Sequence, residues 1–246
     1  VYNDRFIAPF SATVYNWLFH ESYAVFINSI SNIFSLSDAW QPTLGRILTL
    51  IVMSTSALVS YFAFALVSDA ETLPEKMLCL SFAIYLMFGP LIGFWSMTVR
   101  ADLGGLFFEI LSTLFFISLY SRRRLLAVLG LIACVYLAWS FKQSNVFAAG
   151  GAGLFLIARR DWKSLILLIT ALPAAWGITF LVGEELWLNN ILMQDYPLLY
   201  SFERLLRNMT NFAIKMGPVL LFLLGLIIVA FRTKKIIYVF WQSNSN

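Results

Sequence analysis

Arg100-Ala101-Asp102, Tyr2-Asn3-Asp4-Arg5-Phe6 and Lys142 carry the residue types in this chain that could do chemistry. Asp102 stands just ahead of a long apolar run, Asp4 sits beside a cation near the start, and Lys142 lies in the polar break Phe141-Lys142-Gln143-Ser144-Asn145. A carboxylate can accept a proton from a nucleophile or hold a cation, and fixed cations stabilise charge on a phosphate or pyrophosphate. Glu109 follows Asp102 by about two helical turns on the same face, and an acid inside an apolar run is either functional or a hydrogen-bonded structural group. Taken alone, Arg100 and Asp102 read equally well as a helix cap with a snorkelling arginine.

The elements that position these groups are membrane helices. The 246 residues are 60% hydrophobic and 12% charged, far from the roughly 25% charge of soluble domains. The fold expected is all-α, a polytopic transmembrane bundle with about seven spans. The candidate runs are Ile47–Ser68, Met77–Met97, Gly104–Tyr120, Leu125–Phe141, Val146–Ala158, Ser164–Gly183 and Gly217–Phe231. One domain is expected over 1–246, with a loop over 1–46 and the bundle over 47–235. Phe10–Phe34 is too polar to span and suits one or two interfacial helices, and Glu184–Ala213 is a second long connection. The chain starts at Val1 and ends in Gln242-Ser243-Asn244-Ser245-Asn246, which reads as a segment of a longer protein.

Every second break carries clustered cations: Arg122-Arg123-Arg124, Arg159-Arg160-Asp161-Trp162-Lys163 and Arg232-Thr233-Lys234-Lys235. Short cytoplasmic loops collect Lys and Arg, so these clusters mark the cytoplasmic face and put Asp4, Asp102 and Lys142 on the external or lumenal one. This placement accounts for the basic pI of about 9.1 without a nucleic-acid partner. Leu125–Ala158 must cross twice within about 34 residues where two crossings need about 40, so its tip at Lys142 is expected to be submerged. A submerged lysine needs an anion or a wet cavity. Arg5, Arg46, Arg100 and Lys142 all run against the positive-inside bias at this face and together suit an anionic headgroup. Cys79 and Cys134 lie in apolar runs and read as small buried hydrophobes. His20 is the lone histidine, so any divalent cation would have to use carboxylates.

The order Arg100-Ala101-Asp102-Leu103, apolar helix, Ser121-Arg122-Arg123-Arg124, apolar helix, Phe141-Lys142-Gln143-Ser144-Asn145, Ala158-Arg159-Arg160 resembles the polyprenyl-phosphate-dependent glycosyltransferases of the GT-C fold. The nearest branch is the protein mannosyltransferase and aminoarabinose transferase type. Tyr2-Asn3-Asp4-Arg5-Phe6 with Pro9 is similar to that family's first external loop, and Gly45-Arg46-Ile47-Leu48 to the start of its next helix. The resemblance covers most of Val1–Lys163. It implies inverting transfer of a sugar from a polyprenyl-phosphate donor in the membrane to a lipid, glycan or protein acceptor. By that resemblance Asp4 is the catalytic base or acceptor-orienting acid, and Asp102 the second catalytic acid. Lys142, Arg100 and Arg46 would then neutralise the donor phosphate, with Arg5 and Glu109 in support. The first loop has one acid in place of an acidic pair, which leaves a divalent cation on Asp102 an open question. A transporter or flippase for an anionic lipid or solute is the alternative, although transporters often carry internal repeats and none is evident here. A third option is a non-catalytic scaffold in which Asp102, Lys142 and Glu109 pair with one another.

Overall fold

A computed structural model describes residues 16–89, 92 and 97–182, together with the helical positions 202, 206, 207, 209, 210, 214, 217 and 221. Asp4 and Arg5 lie outside the described residues, as do nearly all of Glu184–Ala213 and of the run Gly217–Phe231. The chain divides into two units, Val1–Pro197 and Leu198–Asn246. In the second, Thr210 Oγ1 donates to the Leu206 carbonyl at 2.9 Å, one turn back on a helix. The first unit holds seven α-helices among the described residues, with no strand: α1 Trp17–Phe34, α2 Gln41–Val67, α3 Leu73–Phe88, α4 Ala101–Leu119, α5 Arg124–Phe141, α6 Phe147–Ala158 and α7 Trp162–Val182.

Four of these are long and apolar enough to cross a membrane: α2 with the short 3-10 turn ahead of it, α4, α5 and α7. The molecule is thus an all-helical membrane protein, and its exposed large apolar side chains, such as Leu78, Leu154 and Leu181, are what a lipid-facing surface requires. The expected crossing Met77–Met97 is met by a shorter helix, α3 over Leu73–Phe88, whereas α6 covers all but one residue of the short run expected at Val146–Ala158. α3 stops at Phe88 because Gly89 precedes Pro90; the residue before a proline is driven out of the helical region, and Gly89 is extended at φ −80°, ψ −171°. α6 has 12 residues, about 18 Å at the helical rise, against about 30 Å of hydrocarbon. The deficit in Leu125–Ala158 therefore falls wholly on α6. Its N-terminus opens inside the bundle instead of at the bundle's end.

Small residues set the helix spacing. On α2, Gly45, Thr49, Met53, Ser56, Ala57, Ser60 and Ala63 are buried along one face, the pattern that lets membrane helices approach closely. A β-carbon on Gly45 would stand 2.8 Å from Val99 Cγ2, just ahead of Arg100, so α2 and α4 begin at the same end of the bundle. Met53 and Ala57 of α2 share a cluster with Met87 of α3 and Leu103 of α4. A second cluster joins Phe116, Val128, Leu131, Leu156 and Leu168, one or two from each of α4 to α7. The third gathers Phe19, Tyr23 and Ile27 of α1 with Leu44, Ala101 and Phe141.

Among the described residues, the region where one or two interfacial helices are expected holds α1, and its polar residues tie it down. Asn16 is fully buried. Its Oδ1 accepts from the Trp17 N–H at 2.8 Å, its Nδ2 donates to the Trp139 carbonyl at 2.8 Å, and its own N–H donates to the Phe141 carbonyl at 3.2 Å. One residue thus caps the start of α1 and closes carbonyls that the last turn of α5 leaves without helical partners. Tyr23 Oη and Thr49 Oγ1, 2.8 Å apart, join α1 to α2.

Candidate functional site

α4 begins at Ala101 with Arg100 as its extended N-cap residue, and Arg100 supplies no side-chain cap. Asp102 occupies the first turn, where the positive end of the helix dipole favours an anion. Its two oxygens meet two different cations. Arg100 Nε donates to Oδ2 at 3.0 Å, and Lys142 Nζ, from the residue after α5, donates to Oδ1. The three side chains keep 30%, 35% and 27% of their surface for Arg100, Asp102 and Lys142, so the cluster is open and not sealed in the core. Among the described residues, two cations share this one carboxylate. Arg46, in the second turn of α2 at the same end, is exposed and has no ion-pair partner among the described residues.

Helix packing sets the position of Lys142. A β-carbon on Gly104 would lie 2.3 Å from the Phe141 ring, so the ring seats directly on the α4 backbone and its neighbour Lys142 arrives at Asp102. On Gly105 it would lie 1.5 Å from Asn145 Nδ2. Thus the polar break folds back along α4, as the submerged tip requires, in place of extending past the helix ends. Within it the Asn145 N–H donates to the Lys142 carbonyl at 3.0 Å. Gln143 Oε1 and Asn145 Nδ2 are buried without a hydrogen-bond partner among the described residues; such groups raise the electrostatic stakes of whatever binds beside them.

Glu109 is not brought to this cluster. Buried at 8% exposure, it accepts from the Phe147 N–H at 3.0 Å through Oε1 and from the Ala148 N–H at 2.5 Å through Oε2. These are the first two residues of α6, whose own N-cap, Val146, offers no side chain to them. A carboxylate from α4 therefore caps a helix that starts at mid-depth, satisfying donors that lipid cannot. This favours the structural reading of Glu109. It also explains how a 12-residue helix is held inside the bundle.

At the opposite end the clustered arginines have a different organisation. Asp161, between α6 and α7, accepts from Tyr120 Oη at 2.8 Å and pairs with Arg124 Nε at 3.4 Å. It also meets the Ser164 N–H at 3.4 Å. Burial works against the Asp161 carboxylate, but the bonds from Ser164 and Tyr120 and the charge of Arg124 prevail and hold its pKa below the ordinary carboxylate range. Tyr120 is pushed up to about 12 by burial and by its bond to Asp161. Sequence reading found the cations here but not the acid that organises them. The signal available was Asp161 within Arg159-Arg160-Asp161, an acid inside a basic break. Asn16 was likewise legible only as a polar residue ahead of an apolar run, the place where an N-cap belongs.

The donor set around Asp102 does not fit a divalent cation. Both carboxylate oxygens face cations, and no group of three His, Cys, Asp or Glu side chains able to hold a metal occurs among the described residues. Lys142 and Arg100 are instead donors of the kind that an anion takes. No protein-family model, curated protein or solved structure matches this chain.

Proposed function

We propose that the chain is the membrane domain of an inverting glycosyltransferase that takes a sugar from a polyprenyl-phosphate donor at the Asp102 end of the bundle. The observation that carries this reading is the convergence of Lys142 and Arg100 on a partly exposed Asp102, with Lys142 arriving from 40 residues further along the chain. The clustered arginines at the other end, read by the positive-inside rule, make the Asp102 end external or lumenal. In the reaction an acceptor hydroxyl attacks the anomeric carbon and the bond to the donor phosphate breaks, its electron pair leaving on the phosphate oxygen. Lys142 and Arg100 stabilise that growing negative charge. The acceptor's proton passes to a carboxylate; the resemblance gives this role to Asp4, with Asp102 holding Lys142 in place until phosphate arrives.

The half-length α6 also bears on the transporter alternative, because transporters bind substrate at broken helices near the bilayer midplane. Glu109 weighs against it here. The exposed helix start that would receive an anionic substrate is closed by a carboxylate of the protein itself.

The test is reconstitution of the full-length protein in liposomes with a panel of polyprenyl-phosphate sugars, following sugar release by native protein, Asp4→Asn, Asp102→Asn and Lys142→Ala. Turnover with one donor, lost in Lys142→Ala and Asp4→Asn while the unfolding midpoint is kept, supports the transferase. Equal turnover in all four proteins, or none with any donor, sinks the site assignment and moves anionic-lipid transport to the front.

A further inference from the structure

A groove of about 710 Å³ runs between α4 and α6, away from the Asp102 cluster, within the roughly 300–1,000 Å³ typical of ligand sites. Its inner end is at Glu109 and Ala148, and its mouth is formed by Tyr120, Ser121, Phe155 and Arg159. From Glu109 to Tyr120 the α4 backbone rises about 16 Å, close to the ~15 Å of one leaflet's share of the hydrocarbon core. The groove exists because α6 presents Ala148, Gly151 and Ala152 to it, side chains too small to fill the space that Phe116 and Phe155 bound.

The two ends differ in what they offer. At the inner end Glu109 is turned onto the Phe147 and Ala148 N–H groups, leaving mostly hydrocarbon to face an occupant. At the mouth the Arg159 guanidinium lies over the Phe155 ring, 5.5 Å from its centroid, and Phe155 packs edge-on to Tyr120 with centroids 5.2 Å apart. Arg159 is thereby held at the lip of an apolar slot one leaflet deep, in the same break as Arg160 and Lys163 and across from Arg122, Arg123 and Arg124, and the one acid of that break, Asp161, is engaged by Tyr120, Ser164 and Arg124. A chain-length apolar slot with a cation at its mouth matches an anionic amphiphile in charge and in depth.

We infer that this groove holds one acyl chain of an anionic phospholipid from the leaflet at the arginine end, with the lipid phosphate on Arg159. The inference holds whether or not the chain is a transferase, and the site is separate from Asp102 and Lys142. The occupant is a bilayer phospholipid and not the polyprenyl donor, because the slot ends at Glu109 after one leaflet.

The experiment uses the full-length protein in phosphatidylcholine liposomes carrying a phosphatidylglycerol with a diazirine at mid-chain, or the same diazirine on phosphatidylcholine, at equal mole fraction. Peptides containing Phe116 and Phe155 are expected to take up the phosphatidylglycerol probe about fivefold more, the factor one basic side chain near an anionic headgroup supplies. Gly151→Leu fills the slot and abolishes the labelling. Gly150→Leu, its neighbour outside the groove lining, leaves labelling unchanged; a β-carbon at either glycine meets nothing within 4 Å, so both side chains start into open space. Arg159→Gln brings the two probes level. Equal labelling by both probes in native protein, insensitivity to Gly151→Leu, or competition by a polyprenyl phosphate but not by unlabelled phosphatidylglycerol would each overturn the inference. Should Gly151→Leu fail to fold, the Arg159→Gln comparison decides alone.

Discussion

The two ends of the bundle both concentrate charge, and they use it in opposite ways. At the arginine end Asp161 has an 8% exposed side chain and is bound by Tyr120, Ser164 and Arg124, so a tyrosine, a backbone N–H and an arginine close around one acid. At the other end Asp102 is 35% exposed and shared by two cations that reach it from different elements. The first arrangement joins α4, α5 and the turn into α7. The second leaves all three side chains partly exposed. Charge satisfied inside a turn is structural, whereas opposed charges brought together across the fold and left partly open are what a binding site needs.

The comparison breaks most sharply at Lys142. Lys142→Ala is expected to lower turnover from a polyprenyl-phosphate sugar by about 10²-fold or more, the usual cost of removing one group that stabilises charge in a transition state. Arg124→Ala, at the opposite end, is expected to leave turnover within about twofold. Steady-state rates of sugar release measure both. Equal losses in the two variants would mean that the ends are not functionally distinct.

Glu109 sharpens the comparison from between the two ends. Glu109→Ala removes the acceptor of two buried N–H groups and is expected to destabilise the bundle by about 2–3 kcal/mol. Glu109→Gln, which keeps one acceptor oxygen, should retain more of that stability. Thermal unfolding in detergent measures the difference. If the two variants unfold together, the cap on α6 is not what Glu109 provides. Gly104→Ala comes next, because the Phe141 ring must move to admit a methyl group; overpacking of this kind costs about 1–3 kcal/mol. Since the same ring positions Lys142, turnover per folded molecule should fall as well.

Apolar runs and alternating basic breaks made the all-helical membrane fold legible in the sequence, because lipid admits few other ways to satisfy a backbone. The length count over Leu125–Ala158 pointed to a submerged turn at Lys142 but not to which of its two helices takes the deficit, and α6 takes it. Pairing was legible only in part: depth and sign demanded an anion for Lys142 and left Asp4, Asp102 and a bound phosphate open, of which the structure shows Asp102, and nothing pointed to the partners of Glu109. They are backbone N–H groups, which every residue has, so no residue type in the sequence points to them. Asn16 escaped for a similar reason, since its partners are the carbonyls of Trp139 and Phe141. Asp4 and Arg5, which rest on the resemblance, have no counterpart among the described residues.

The smallest expected effect belongs to the Asp161 cluster and is read through pH. The folded-state pKa of Asp161 is depressed, so its stabilisation is complete above the ordinary aspartate value of ~3.9 and is lost as pH falls through the lower folded value. Tyr120→Phe removes one hydrogen bond to that carboxylate and should cost about 1 kcal/mol at neutral pH. Because the lost bond no longer favours the ionised acid, the variant should also narrow the gap between folded and unfolded pKa. Its unfolding midpoint should therefore fall less steeply than that of native protein as pH drops below about 4 and through the lowered folded value. Parallel pH profiles for the two proteins would mean that Tyr120 packs beside Asp161 without contributing to its ionisation, and would leave Arg124 and Ser164 as the groups that hold this end closed.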